Sequence, residues 1–211
     1  MIIAVDGPAA AGKGTLVSKL AEYFNLASLD TGTLYRGVAL SMMNKGIDIN
    51  DEITALQHAK DLDLRLTKSF DIRSAAVGVA ASKIASVKTV RTALLNFQRE
   101  FAANPPEGKE GTILDGRDIA TVVCPEADYK IFVTANIKIR TKRRLKELIE
   151  RNEPAIYGQI MKELRERDDR DASRSIAPLR QASDAIVIDT SGLDAEQAFD
   201  QARVFIASKG L

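Results

Sequence analysis

An apolar run followed at once by a glycine-rich turn opens the chain, and it limits the possible folds more than any other stretch. Residues 2–5 read Ile-Ile-Ala-Val, which is typical of a buried strand. Residues 6–15 read DGPAAAGKGT, and apolar side chains then recur at helical spacing over residues 16–24. A buried strand, a glycine-rich turn and a helix in this order predict the first unit of an α/β fold.

Four more short apolar runs follow, each bounded by Gly, Asp, Pro or Asn. Such continuous runs favour strands of a parallel sheet that is covered on both faces. The predicted strands lie at residues 2–5, 26–29, 112–114, 129–133 and 185–188. Because helical patterns alternate with them, we expect right-handed crossovers between parallel strands.

Helical patterns dominate the long stretch between the second and third predicted strands, which indicates a helical insertion within one crossover. A breaker, Asn-Pro-Pro-Glu-Gly at residues 104–108, precedes the return to the sheet. Asn136 is a predicted N-cap, and Asp194 with Gln197 resembles a capping box. The predicted helices cover residues 16–24, 34–44, 51–61, 75–85, 89–103, 137–152, 155–171 and about 194–210.

The composition is that of an ordinary globular protein of 211 residues, with 45% hydrophobic and 28% charged residues and a net charge of +1. The charge is uneven, since residues 136–180 hold 13 Lys and Arg against 8 Asp and Glu, an excess of +5. A single cysteine, Cys124, excludes an internal disulfide and favours a reducing compartment. With neither a signal-peptide pattern nor an apolar stretch of about 18 residues, we expect a cytoplasmic protein that does not enter a membrane.

The glycine-rich turn fits the pattern G-x-x-x-x-G-K through Gly7, Gly12 and Lys13, with Gly14 inserted before Thr15. Glycines let backbone N–H groups surround a polyphosphate, and the helix that follows presents its positive end to the same anion. Lys13 can reach the β- and γ-phosphates, and the Thr15 hydroxyl can bind Mg²⁺. A turn without a ligand is the alternative, but the strand before it and the helix after it favour ATP binding. The predicted cradle comprises Gly7, Pro8, Ala9, Ala10, Ala11, Gly12, Lys13, Gly14 and Thr15.

Three further stretches place charge where ligands of α/β proteins bind. LDTGTLYR at residues 29–36 and LDGRDIATVV at residues 114–123 follow predicted strands, so Arg36 and Arg117 could converge on one phosphate. ERDDRDASR at residues 166–174 sets arginines among aspartates. For this last stretch a solvated network of ion pairs on a helix surface is an equally good interpretation.

The stretches GPAAAGKGT, DTGTLYR, DGRDIATVVCPEA and ERDDRDASRSIAPL together resemble bacterial cytidylate kinases, which phosphorylate CMP and dCMP with ATP. The resemblance implies a P-loop α/β fold like that of adenylate kinase, with a five-stranded parallel sheet flanked by helices. It also implies a helical insertion that binds the nucleoside monophosphate (NMP) and a short lid. On this basis the core comprises residues 1–30, 111–135 and 183–211, the insertion residues 31–110, and the lid with the substrate-contact helices residues 136–182.

The resemblance also implies roles for individual residues. Thr31, Arg36 and Arg117 would contact the acceptor nucleotide, and Ser82, Arg91 and Arg174 would read the cytosine. Asp118, Arg167 and Asp171 would lie around its sugar and phosphate, while Arg143 and Arg144 would belong to the lid. The implied catalytic set is Lys13, Arg117, Asp118, Arg143 and Arg144.

Members of the family usually carry a small antiparallel β element in the insertion, and residues 62–82 leave little room for it. The acceptor phosphate, with a second pKa of about 6, is mostly a dianion at neutral pH and needs no general base. We therefore read His58 as a solvated surface residue and Cys124 as buried packing. The expected substrates are CMP and dCMP, with ATP and Mg²⁺, and the expected state is a monomer without nucleic-acid partners.

Two alternatives stay open at this stage. A P-loop kinase acting on another nucleoside monophosphate or a small metabolite would use the same chemistry. A nucleotide-binding, RNA-associated regulator would instead use the basic segment 136–180, although acidic residues interrupt this segment throughout.

Overall fold

A computed structural model describes residues 1–210 and contains one five-stranded sheet with the strand order β2-β3-β1-β4-β5. The pairs β1–β3, β1–β4 and β4–β5 are parallel, and Ala4 lies opposite both Leu114 and Lys130. The predicted five-stranded parallel α/β fold is confirmed, and β3 extends beyond both predicted ends. The strands are β1 Ile2–Asp6, β2 Leu26–Asp30, β3 Gly111–Gly116, β4 Tyr129–Thr134 and β5 Ile186–Asp189.

Helices connect the strands at the positions that the sequence patterns predict, with ends that differ by up to three residues. Short 3₁₀ turns lie at Leu64–Lys68 and Phe70–Arg73, and a π turn lies at Ile119–Val123. Over residues 1–210, none of the helices combines the length and apolar character needed to cross a membrane. The helices are α1 Lys13–Tyr23, α2 Thr31–Asn44, α3 Glu52–Lys60, α4 Ala75–Ile84, α5 Lys88–Ala103, α6 Ile137–Glu150, α7 Tyr157–Ser173 and α8 Ala195–Ser208.

The chain forms two compact units, each with its own apolar core. The first unit, Met1–Leu29 with Ala102–Leu211, contains the sheet with α1 and α6–α8. The second unit, Asp30–Phe101, contains α2–α4, most of α5 and both 3₁₀ turns. The core of the first unit includes Ile3, Val5, Leu16, Leu20, Ile113 and Ile131, and that of the second includes Leu34, Val38, Met42, Ile84 and Val90.

Two helix N-termini are capped as the sequence predicts. The side chain of Asn136 accepts the backbone N–H of Lys138 at the start of α6. At the start of α8, Asp194 accepts the backbone N–H of Gln197, and the side chain of Gln197 accepts the backbone N–H of Asp194. Both predictions are confirmed.

His58 lies in the interior of the second unit, so the prediction of a solvated surface residue is wrong. Its ring Nδ1 is 2.7 Å from the Ser41 hydroxyl, and only 9% of the residue is exposed. The reason is that Ala55, His58 and Ala59 share the buried face of α3, which packs against α2. Cys124 is buried, as predicted.

Candidate functional site

The loop between β1 and α1 has a backbone that only particular residues can adopt. Gly7 has φ 149°, and a Cβ added there would lie 1.9 Å from the carbonyl oxygen of Val133 on β4. Ala10 (φ 58°) and Gly12 (φ 94°) are left-handed. At Gly14, in contrast, nothing lies within 4 Å of an added Cβ. The loop therefore packs tightly on the sheet, and the first turn of α1 stays open around Gly14.

Lys13 folds back across this loop. Its Nζ donates to the carbonyl of Pro8 at 3.0 Å and lies 3.7 Å from a carboxylate oxygen of Asp115 on β3. Because Gly12 has no side chain to cap α1, the N–H groups of the first turn can bind an anion. Thr15 is exposed in that turn. A buried cation, open amides and a hydroxyl thus meet where the sequence predicts ATP phosphates.

Three residues that sequence reasoning missed contact this region of the first unit. Arg140 of α6 donates to the carbonyl of Ala9 at 3.3 Å and forms two bonds to Asp168 of α7, at 3.0 and 2.6 Å. Thr190 donates its hydroxyl proton to the carbonyl of Ala11 at 2.8 Å. Thr190 follows β5, so the rule that ligands bind at strand ends could have found it. Arg140 lies one turn before Arg143, and Asp168 lies in the stretch of arginines and aspartates at residues 166–174, but neither was assigned a role from the sequence.

The two predicted lid arginines make different contacts. Arg143 donates to both the hydroxyl and the carbonyl oxygen of Thr190 at 2.8 Å, and burial lowers its pKa. Arg144 pairs with Glu147 one turn further along α6, at 2.8 Å. In this structure Arg143 is therefore next to the glycine loop, and Arg144 belongs to an ion pair on its own helix.

Asp6 ends β1 as a carboxylate with almost no exposure to solvent. It accepts the backbone N–H groups of Ile119 and Ala120, each at 2.8 Å. Burial raises the pKa of Asp6 to about 6, and nearby Asp118 adds to this, while the two N–H bonds and Lys13 oppose it. Asp6 thereby fixes the segment that follows Arg117 and Asp118, a role that the motif alone does not reveal.

Asp171 of α7 is the centre of a cluster of arginines. Its carboxylate is 2.9 Å from Nε of Arg117 and 3.9 Å from Nε of Arg167, and it also pairs with Arg174, the C-cap of α7. Burial would raise the pKa of Asp171, but the charges of the three arginines together hold it below its ordinary value. With Asp171 only 1% exposed, the interpretation of a solvated surface network is wrong.

The second unit holds the other predicted acceptor residues. Arg36 donates to the carbonyl of Ile72 at 2.8 Å, and a Cβ added at Gly78 would lie 3.1 Å from its Nη2. Arg91 donates to the carbonyl of Ala85 at 3.1 Å and lies 5.5 Å from the ring centroid of Tyr35. Thr31 and Ser82 are buried in this unit.

The predicted residues are thus divided between the two units. The second unit holds Thr31, Arg36, Ser82 and Arg91. The first unit holds the glycine loop and a second group, namely Arg117, Asp118, Arg143, Arg144, Arg167, Asp171 and Arg174.

A family model described as cytidylate kinase matches residues 3–207. The chain belongs to the cytidylate kinase family. The cytidylate kinase of Paramagnetospirillum magneticum is 53% identical over 208 residues, which cover 99% of this chain and 98% of the relative. That of Rhodospirillum rubrum is 47% identical over 209 residues, with coverage of 99% and 98%. The predicted family and enzyme class are therefore confirmed.

A solved structure supports the fold alone. An uncharacterized protein from Eubacterium ventriosum superposes with a TM-score of 0.54 at 15% identity and covers 99% of both chains. Residues 62–82 of this chain contain two 3₁₀ turns and the start of α4 but no strand, as their sequence indicates.

Proposed function

We propose that this member of the cytidylate kinase family transfers the γ-phosphoryl group of ATP to the phosphate of CMP or dCMP. The observation that carries the proposal is the family match over residues 3–207. The geometry supports it, because the glycine loop, the buried Lys13 and the arginine cluster at Asp171 are groups that bind phosphate.

On the ATP side, residues 7–15 would hold the phosphates through the loop amides, the open first turn of α1 and the Lys13 ammonium. The exposed Thr15 hydroxyl, together with phosphate oxygens, would hold Mg²⁺. Over residues 1–210 no group of three or more His, Cys, Asp or Glu side chains is arranged to hold a metal. A bound Mg²⁺ would supply charge that offsets the negative phosphates.

On the acceptor side, Arg36, Arg117 and Thr31 would hold the phosphate of CMP. Their support is the position of Thr31 and Arg36 on α2, directly after β2, and of Arg117 directly after β3. Ser82, Arg91 and Arg174 would read the cytosine, and Asp118, Arg167 and Asp171 would surround the sugar and phosphate. A polar site left unpaired by the wrong base costs about 1–3 kcal/mol per buried group, which would favour cytosine.

The chemistry would depend on placement and charge. A phosphate monoester with a second pKa of about 6 is largely a dianion at neutral pH, so the acceptor oxygen can attack without losing a proton to the protein. Lys13 and the arginines, with Arg143 and Arg144 from the predicted lid, would stabilise the charge that develops on the transferring group. Closure of the lid would exclude water, which otherwise hydrolyses ATP.

These proposed roles divide the chain into three regions. We propose a core of residues 1–30, 111–135 and 183–211, an NMP-binding insertion of residues 31–110 and a lid region of residues 136–182. We further propose a cytoplasmic monomer that acts on small nucleotides without a nucleic-acid partner.

The direct test is an ADP-release assay with CMP, dCMP, UMP, AMP and GMP as acceptors, with ATP and Mg²⁺ in excess. We expect the highest kcat/KM with CMP or dCMP. Equal or faster turnover of AMP would overturn the assignment of the base, and salt-sensitive RNA binding without CMP turnover would favour a regulator.

The proposed contacts of Arg36 and Arg117 with the phosphate of CMP are tested with Arg36→Ala and Arg117→Ala. Each should lower kcat/KM for CMP by about 10²- to 10³-fold, because a charged donor to the phosphate is lost, and should leave ATP binding little changed. Matched controls are Arg65→Ala in the second unit and Arg203→Ala in the first; Arg65 is exposed, Arg203 is half-buried, and each pairs with a nearby aspartate. Normal turnover of the Arg36 and Arg117 variants would show that neither arginine is needed to bind the phosphate of CMP.

A further inference from the structure

We propose that Arg140 and Thr190 are positioning residues that aim the amides of the glycine loop at the ATP phosphates. Both donate to carbonyl oxygens of that loop: Arg140 donates to Ala9, and Thr190 donates to Ala11. We call these two side chains the carbonyl brace. The inference rests on the proposed function only in taking ATP as the ligand of the loop.

Because the peptide group is planar, a hydrogen bond that fixes the direction of a carbonyl also fixes the direction of the next residue's N–H. In a trans peptide the C=O and the next N–H point in opposite directions, and residues 1–210 contain no cis peptide. With the carbonyl of Ala9 directed at Arg140, the N–H of Ala10 must face the other side of the loop. The carbonyl of Ala11, directed at Thr190, does the same for the N–H of Gly12.

Arg140 is itself locked in place. Its Nε donates to the carbonyl of Ala135 at 2.9 Å, and its two terminal nitrogens bond both carboxylate oxygens of Asp168. Only 7% of the side chain is exposed. A guanidinium held by these three hydrogen bonds can keep the Ala9 carbonyl in one orientation, and Asp168 supplies two of the three.

Thr190 is equally constrained. Its hydroxyl accepts a bond from Arg143 at 2.8 Å and has two carbonyls in reach, Ala11 at 2.8 Å and Thr134 at 3.2 Å. A hydroxyl has one proton, and the shorter distance assigns it to Ala11. By donating to the Thr190 hydroxyl, Arg143 helps to fix the direction in which that hydroxyl donates its own proton.

The backbone between the two braced carbonyls explains why a brace is needed. Ala10 has φ 58°, a left-handed conformation that is unfavourable for any residue with a Cβ. Such a conformation persists when its surroundings determine it, and the carbonyls on either side of Ala10 are the ones that Arg140 and Thr190 hold. Without the brace, we expect this part of the loop to relax and the amides to lose their common direction.

The test measures ATP binding to the full chain by calorimetry in the presence of Mg²⁺ and without CMP. Thr190→Val keeps the shape and removes the hydroxyl with its bonds to Ala11 and Arg143, so the Kd for ATP should rise at least about tenfold. Thr190→Ser should bind ATP like the wild type. Arg140→Lys keeps the charge but loses the fork, and the Kd should again rise about tenfold.

The matched control is Thr141→Val. Thr141 is a fully buried threonine of the first unit, and its hydroxyl bonds the carbonyl of Ile137 within α6, not a loop carbonyl. It should lower the melting temperature and leave the Kd for ATP unchanged. If Thr190→Val and Arg140→Lys bind ATP as tightly as the wild type, the brace has no role in binding.

Two further readouts keep the result interpretable. Combining Arg140→Lys with Asp168→Asn should weaken binding no more than Arg140→Lys alone, because Asp168 acts through Arg140; additive losses would contradict the brace. If Thr190→Val does not fold, Arg140→Lys and Thr190→Ser carry the test. ATP binding that depends on the brace in a protein that fails to phosphorylate CMP would refute the proposed function and leave the brace intact.

Discussion

Asp6 holds a buried carboxylate at the end of β1 against the backbone N–H groups of Ile119 and Ala120. Its pKa of about 6 in the folded protein exceeds the value of 3.8 for an unburied group. The folded state therefore binds the proton more tightly than the unfolded state does. The contribution of Asp6 to stability is fully present below about pH 4 and is lost as the pH rises through about 6.

We predict that Asp6→Asn changes the pH dependence of stability. The free energy of unfolding of the variant minus that of wild type should be about 2 kcal/mol larger at pH 7.5 than at pH 4.5, so the variant gains relative stability as the pH rises. Urea denaturation at the two pH values measures this difference. Any constant penalty from the N–H group that loses its acceptor cancels in the comparison.

The control for this prediction is Asp169→Asn on α7, because Asp169 is exposed. The difference between this variant and wild type should not vary over the same range of pH. Parallel stability curves for Asp6→Asn and wild type would show that burial does not penalise the charge of Asp6.

The N-terminus of α8 shows how a single element is stabilised by a local sequence signal. Asp194→Ala removes the acceptor for the N–H of Gln197, and we expect a loss of about 1 kcal/mol in the free energy of unfolding. Asp194→Asn keeps an acceptor oxygen and should lose much less. Chemical denaturation of the three proteins checks this, and equal stabilities would mean that the capping box contributes nothing.

The elements themselves were predictable, because strands and helices depend on local patterns. The five apolar runs predicted all five strands, and Asn136 and Asp194 predicted two helix starts. His58 was not predictable from its polar neighbours, because its environment is set by the packing of α3 on α2. Burial of one polar side chain is a tertiary property that adjacent residues in the sequence do not report.

Much of the candidate site was also identifiable from the sequence, but the residues that hold the site residues in place were not. The glycine loop and the arginines stand out by composition and by position after strands. Thr190 and Asp168 lie far along the chain from the glycine loop, and their neighbours in the sequence do not report the contacts of Thr190 with Ala11 and of Asp168 with Arg140. The contacts that hold Arg117 and Arg140 in place arise only when separate elements of the chain meet, so they required the structure.

At the scale of the whole molecule, we predict that ATP and CMP slow amide hydrogen exchange in different parts of the two units. All the residues proposed to hold ATP lie in the first unit, while four of those proposed to hold CMP lie in the second. ATP alone should slow amide hydrogen exchange at residues 7–15. CMP alone should slow exchange in α2, α4 and the start of α5, where Thr31, Ser82 and Arg91 lie.

Exchange measured by mass spectrometry on the free, ATP-bound and CMP-bound protein checks this. α8 is a suitable internal reference, because none of the proposed contact residues lies on it. Protection of α4 and α5 by ATP alone, to the same extent as by CMP, would contradict the proposed assignment of residues to the two nucleotides.

The cluster around Asp171 has a consequence for which molecules the protein can accept. The buried carboxylate of Asp171 contacts three guanidinium groups, those of Arg117, Arg167 and Arg174. Guanidinium groups bind phosphate oxygens strongly, and a phosphate monoester carries a charge of about −1.5 to −2 at neutral pH. Cytidine, which has the same base but no phosphate, cannot make this contact. On the proposed assignment of the cluster to the acceptor, the protein should therefore reject nucleosides whatever their base.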